Sequence, residues 1–160
     1  MTIVDFNHNS AIQLAKLSGF SPIIVTASLH HAEYLKALGA THVIDRNVSG
    51  AALASEVNTI TQAAPIKYVV DSISSADTQQ SGYDLLASGG NLVIFMPLAI
   101  KATNDDKDII HVLGLVAHPA NAELLETLYH DNLEQLLKEG HIKVSHSRNV
   151  LLFMLTKLDY

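Results

Sequence analysis

The chain contains no cysteine. Disulfides, a thiolate zinc centre and a thiol nucleophile are therefore excluded, and the absence fits a reducing compartment. Basic residues are scarce as well. Ten Lys and Arg stand against sixteen Asp and Glu, giving a formal net charge of −6 with the nine histidines neutral. No broad basic face can be built from that balance, which argues against nucleic acid and anionic membrane as partners. No apolar run is long enough to cross a bilayer. Met1 to Ser10 lacks the basic start, the sustained apolar stretch and the small-residue cleavage site of a secretory leader. The expected location is the cytoplasm, with any release being unconventional.

What is present is a chain able to form a full core: 160 residues, 48% of them hydrophobic. That is the size of one domain. Strand and helix patterns alternate along it. Thr2–Phe6 reads as a short strand. Ser10 opens a helix, with Gln13 at capping-box spacing and Gly19 as its stop. Pro22–Ala27 is a continuous apolar run, the mark of a central parallel strand covered on both faces. Helices are expected over Leu29–Leu38, Ser49–Thr61, Asp77–Ser88 and Asn121–Glu139. Strands are expected over His42–Asp45, Lys67–Ser72, Asn91–Met96, Ile109–Ala117 and Ile142–Val144. Ala99–Lys107 reads as a polar loop. The alternation predicts an α/β fold, a doubly wound, mostly parallel Rossmann-like sheet with helices on both faces. Residues 1–150 form one such domain, and residues 151–160 form an apolar tail rich in leucine.

A further absence now matters. Doubly wound domains that bind dinucleotides place a glycine-rich turn between the first strand and the first helix. Here that corner is Asp5-Phe6-Asn7-His8-Asn9-Ser10, without a glycine. Side chains then occupy space that two phosphates would need, although the dipole of the helix beginning at Ser10 still favours an anion.

Several blocks follow one another in a familiar order: Ala11-Ile-Gln-Leu-Ala-Lys16, Ile23-Ile-Val-Thr-Ala-Ser28, Ala37-Leu-Gly-Ala-Thr-His-Val-Ile-Asp45, Tyr68-Val-Val-Asp71 and Gly90-Asn-Leu-Val93. Over roughly residues 10–150 the chain resembles the cofactor-binding domain of the medium-chain, zinc-type alcohol dehydrogenases and the related enoyl and quinone reductases. It is most similar to the fungal zinc-binding-dehydrogenase-like proteins. The resemblance implies a domain truncated at both ends, without the catalytic domain and proton-relay residues that such proteins carry before it. It also implies a twofold homodimer joined through the edge strand Ile109–Ala117, with the apolar tail docking back or into the partner.

The same resemblance implies cofactor contacts at Ser10, at Thr26, Ser28 and His30 after the second strand, at Asp71 and Ser72 after the fourth, and at Phe95 and Pro97 after the fifth. An acid after the second strand would accept hydrogen bonds from a ribose 2′-hydroxyl, and its absence favours NADP over NAD. Ser28 is equally placed to cap the next helix. No catalytic residue is assigned.

Metal ligation is a weaker reading. His30 and His31 are adjacent and would diverge by about 100° on a helix. His141 and His146 flank a short strand. Asp105, Asp106 and Asp108 lack the spacing and bend glycine of a calcium loop. No metal is expected. Tyr34, Tyr68, Tyr83 and Tyr129 are expected to anchor the core.

The leading expectation is a stand-alone dehydrogenase-like domain, leaning non-catalytic, with no cofactor or at most NADP. It would act through protein surfaces, including those of cells, by analogy with small fungal proteins of immunomodulatory type. The alternatives are an NADP-binding reductase remnant or cofactor sensor, and a metal-dependent hydrolase or nuclease.

Overall fold

The computed structural model describes residues 2–5, 9–101, 106–112 and 119–143. Six strands form one sheet: β1 (Thr2–Asp5), β2 (Ile23–Ala27), β3 (His42–Asp45), β4 (Tyr68–Asp71), β5 (Asn91–Ile94) and β6 (Asp108–His111). Their spatial order is β3-β2-β1-β4-β5-β6, and every pairing is parallel. The register sets Val4 against both Val25 and Val70, so β1 is central and the chain reverses direction across the sheet between β1 and β4.

The helices divide between the two faces. α1 (Asn9–Leu17) and α2 (Ala32–Leu38) cover one face, where Ile12, Ala15, Leu35 and Leu38 pack with Ile23, Val25 and Ala27. α3 (Gly50–Thr61) and α4 (Ala76–Leu85) cover the other, where Leu53, Val57 and Tyr83 pack with Ile24, Ile44, Val69, Leu92 and Ile94. β2 supplies alternate residues to the two cores, which explains its unbroken apolar sequence. α4 lies close to the sheet because Gly82 has no side chain. A Cβ there would meet Val69 Cγ1 at 3.0 Å and Leu92 Cδ1 at 3.1 Å.

Several boundaries differ from the sequence reading. α1 begins at Asn9, so Ser10 lies inside the helix. Gln13 does not complete a capping box with it. Its amide donates to Asn9 O (3.1 Å) and Lys143 O (3.2 Å) and accepts from Lys143 N–H (2.6 Å). The segment opening at Leu29 starts as a 3₁₀ turn, Leu29–His31, before α2. α4 starts at Ala76 because Ser75 and Thr78 cap each other reciprocally, and it ends at Leu85, short of Ser88. β5 ends at Ile94 rather than Met96, and β6 begins at Asp108. The expected strand at Ile142 is a bend leading into Lys143 instead, with Lys143 held by Gln13.

The long C-terminal helix is not uniform. A 3₁₀ turn (Pro119–Asn121) leads into α5 (Ala122–Leu125), a π-helical stretch (Glu126–Asn132) and α6 (Leu133–Lys138). Tyr83 is buried, as expected of a core anchor, but Tyr34, Tyr68 and Tyr129 are exposed. Phe6, Asn7, His8, Asp105, Val144, His146, most of the run 109–117 beyond Val112, and the tail 151–160 lie outside the described residues. No helix among the described residues is long and apolar enough to cross a membrane.

Candidate functional site

In open parallel sheets, ligands bind beyond the carboxyl ends of the strands, where the strand order reverses. That place here is the gap between the ends of β1 and β4. Beside it, on the α3 and α4 face, a cavity of about 230 Å³ opens between the ends of β2, β3 and β4. Thr26, Arg46, Leu53, Asp71, Ile73 and Asp77 contribute to its wall. Its lining is mostly apolar, and Arg46, Asp71 and Asp77 are its charged members. Arg46 is the cation there. Its backbone N–H donates to Ala27 O at 3.0 Å, which fixes it beside the end of β2.

No carboxylate follows β2 before Glu33. Ser28 occupies the cap position of the 3₁₀ turn but makes no capping bond with its side chain. Its hydroxyl instead pairs with His30 Nδ1 at 2.7 Å. The His30 and His31 rings lie against each other, with centroids 3.6 Å apart. Loss of solvent around its ring, helped by repulsion from His30 and Arg46, holds His31 below the ordinary histidine value.

Beyond β4 the chain is locked by hydrogen bonds. Asp71 is buried, and its Oδ1 accepts from Ser74 N–H while its Oδ2 accepts from the Thr78 hydroxyl, both at 2.8 Å. The carboxylate is thus committed to shaping the turn. The Ser74 hydroxyl donates to Asp71 O at 2.6 Å and accepts from Phe95 N–H at 2.9 Å. Gln79 donates to Pro97 O at 3.0 Å. Two buried side-chain atoms among the described residues have no hydrogen-bond partner: Ser72 Oγ, directly after β4, and Asn9 Oδ1, at the start of α1. Both belong to the reversal point between β1 and β4.

Of the sequence-derived site residues, Thr26 and Asp71 border the cavity. Ser28, His30, Ser72, Phe95 and Pro97 lie on the loops after β2, β4 and β5 at the same end of the sheet, outside the cavity wall, and Ser10 is exposed in the first turn of α1. The sequence reading missed Arg46, Ser74, Thr78 and Gln79. Arg46 had a visible signal, a lone cation after a strand ending in Asp45. The other three act through burial and loop geometry that no local pattern encodes. No group of three His, Asp or Glu among the described residues is arranged to hold a metal ion.

Comparison with curated protein sequences returned no match. Solved structures match over most of the chain. A quinone oxidoreductase from Pseudomonas syringae pv. tomato DC3000 is 26% identical with a TM-score of 0.71, over 90% of this chain and 47% of its own. A benzyl alcohol dehydrogenase from Acinetobacter calcoaceticus is 22% identical with a TM-score of 0.68, over 88% and 40%. The mycobacterial protein Rv1454c, solved in complex with NADPH, is 17% identical with a TM-score of 0.71, over 90% and 48%. The chain therefore spans less than half the length of each. The sequence profile of the zinc-binding dehydrogenases matches residues 9–128, three-quarters of the chain, and this protein belongs to that family.

Proposed function

We propose that this chain is an NADP(H)-binding, reductase-like domain, with the adenosine half of the nucleotide in the cavity between β2, β3 and β4. The carrying observation is that Arg46, the one cation among the described residues of a cavity wall that also holds Asp71 and Asp77, is fixed by its backbone beside the acid-free end of β2. A cation there suits a 2′-phosphate, and the 2′-hydroxyl of NAD would lack its usual carboxylate partner after β2. Ser28 and His30 add a hydroxyl and an imidazole on the loop after β2, outside the cavity wall.

The residues present fit the group at a second place. The unpartnered Ser72 Oγ is a buried hydroxyl that a nucleotide hydroxyl or phosphate oxygen would satisfy. The first turn of α1, at Asn9 and Ser10, would face the diphosphate with free backbone N–H groups. The NADPH complex of the mycobacterial neighbour supports the reading. When bound, the nucleotide supplies a hydride; this chain's residues bind and orient it. The glycine-free corner makes the affinity modest, with a Kd of about 1–100 μM expected.

Titration of the full chain with NADPH, followed by the nucleotide's fluorescence, tests the reading. Saturable binding, displaced by 2′,5′-ADP and about ten-fold weaker for NADH, is expected. An unchanged signal at millimolar nucleotide would overturn it. Action as an immunomodulatory surface protein and metal-dependent hydrolysis have no supporting observation on this chain.

Self-association is a separate proposal. β6 lies at the edge of the sheet with Ile110 46% exposed, and an apolar edge invites a second copy. Sedimentation equilibrium should give twice the chain mass, and a monomer at micromolar concentration would reject the dimer.

A further inference from the structure

Gln79 is the one polar side chain among the described residues with 0% exposure. It projects from α4 into the gap between two loops. Its Nε2 donates to Ser74 O at 2.9 Å and to Pro97 O at 3.0 Å, and its Oε1 accepts from Ala99 N–H at 2.9 Å. One amide thereby ties the loop after β4 to the loop after β5. The Ser74 hydroxyl makes a second tie between them through Phe95 N–H.

A buried amide is costly unless its hydrogen-bonding capacity is used. Packing alone would be served by a leucine or methionine at this position. What the glutamine adds is a fixed spacing between two loops. These loops follow neighbouring strands, with Asp71 opposite Ile94 in the register. They carry Ser72 on one side and Phe95 and Pro97 on the other. A dinucleotide lies across the crevice at the strand reversal, with one mononucleotide on each half of the sheet. The adenosine cavity belongs to the half built from β2 and β3, so the bracketed loops border the other.

We infer that Gln79 is a positioning residue for the nicotinamide–ribose half of the cofactor cleft, setting the gap between the loops after β4 and β5. This inference rests on the cofactor reading above. Gln79 itself touches no nucleotide; it acts through Ser74, Pro97 and Ala99.

The test compares two ligands on the full chain. NADPH spans both halves of the crevice, whereas 2′,5′-ADP occupies the adenosine half alone. Q79M keeps the side chain's length and removes all three hydrogen bonds. NADPH should bind it about ten-fold more weakly, with 2′,5′-ADP within about two-fold of the wild type. Wild-type affinity for both ligands, or a loss in the same proportion for both, would overturn the inference. A wild-type chain that binds neither ligand removes the cofactor reading and this inference with it.

A melting curve shows whether Q79M folds. If it does not, S74A, which leaves the Gln79 bonds in place and removes the hydroxyl's bonds to Phe95 N–H and Asp71 O, carries the test. It should show the same asymmetry at about three-fold. No asymmetry in S74A would count against the inference as Q79M parity does.

Discussion

On the proposed cofactor reading, ligand preference turns on Arg46. It is exposed, yet its backbone is fixed to Ala27 and its charge stands where β2 offers no acid. R46E should weaken NADPH by about ten-fold or more while leaving NADH within about two-fold, read from fluorescence titrations of both nucleotides. His31 carries a pH dependence of stability. In the unfolded chain it titrates near the ordinary value of about 6.5. In the folded chain desolvation, His30 and Arg46 hold it lower, so the unfolded state binds more protons between the two values. Its contribution is therefore present above about pH 6.5 and lost as the pH falls toward the folded value. Urea midpoints at about pH 7.5 and 5.5 should fall further for the wild type than for H31Q. An equal fall in both would show that His31 is not the group responsible. The resemblance put Thr26 and Asp71 at the ends of β2 and β4, and the structure sets both in the cavity wall. The use Asp71 makes of its carboxylate was not legible, since Ser74 and Thr78 reach it only once the turn after β4 is folded.

At the scale of elements, α4 carries the most weight. It walls the cavity, holds Gln79 and approaches the sheet at Gly82. G82V would force side-chain atoms against Val69 and Leu92 and push the helix outward. A loss of about 1–3 kcal/mol is expected from denaturant unfolding. A variant as stable as the wild type would mean that α4 sits less tightly than described. Strands and helices were readable from periodicity, and β2 from its apolar run. Their ends were less so. The helix expected from Asp77 starts earlier, because Ser75 with Thr78 closes the cap two residues before it. The leucines from 124 to 137 read as one amphipathic helix. Local periodicity does not reveal the π-helical stretch Glu126–Asn132, which shifts the register of the stripe, and Leu137 is 39% exposed.

For the molecule as a whole, alternation of strands and helices together with right-handed crossovers leaves few arrangements open. The observed order, with β1 at the centre and β3 and β6 at the edges, is the one expected of two mononucleotide-binding halves. The cavity could not be read in the same way, because its wall draws on β2, the loop after β3, α3, β4 and α4 at separations of many residues. The missing glycine weighed against nucleotide binding in the sequence. The folded chain adds Arg46, the cavity and the unpartnered Ser72 hydroxyl on the other side. These opposing indications meet in one measurement, a crystal structure of the full chain grown with saturating NADPH. The account predicts adenine between Leu53 and Ile73, the 2′-phosphate at Arg46 and the diphosphate against the first turn of α1. A nucleotide bound elsewhere on the molecule, or a cavity still empty at saturating nucleotide, would contradict it.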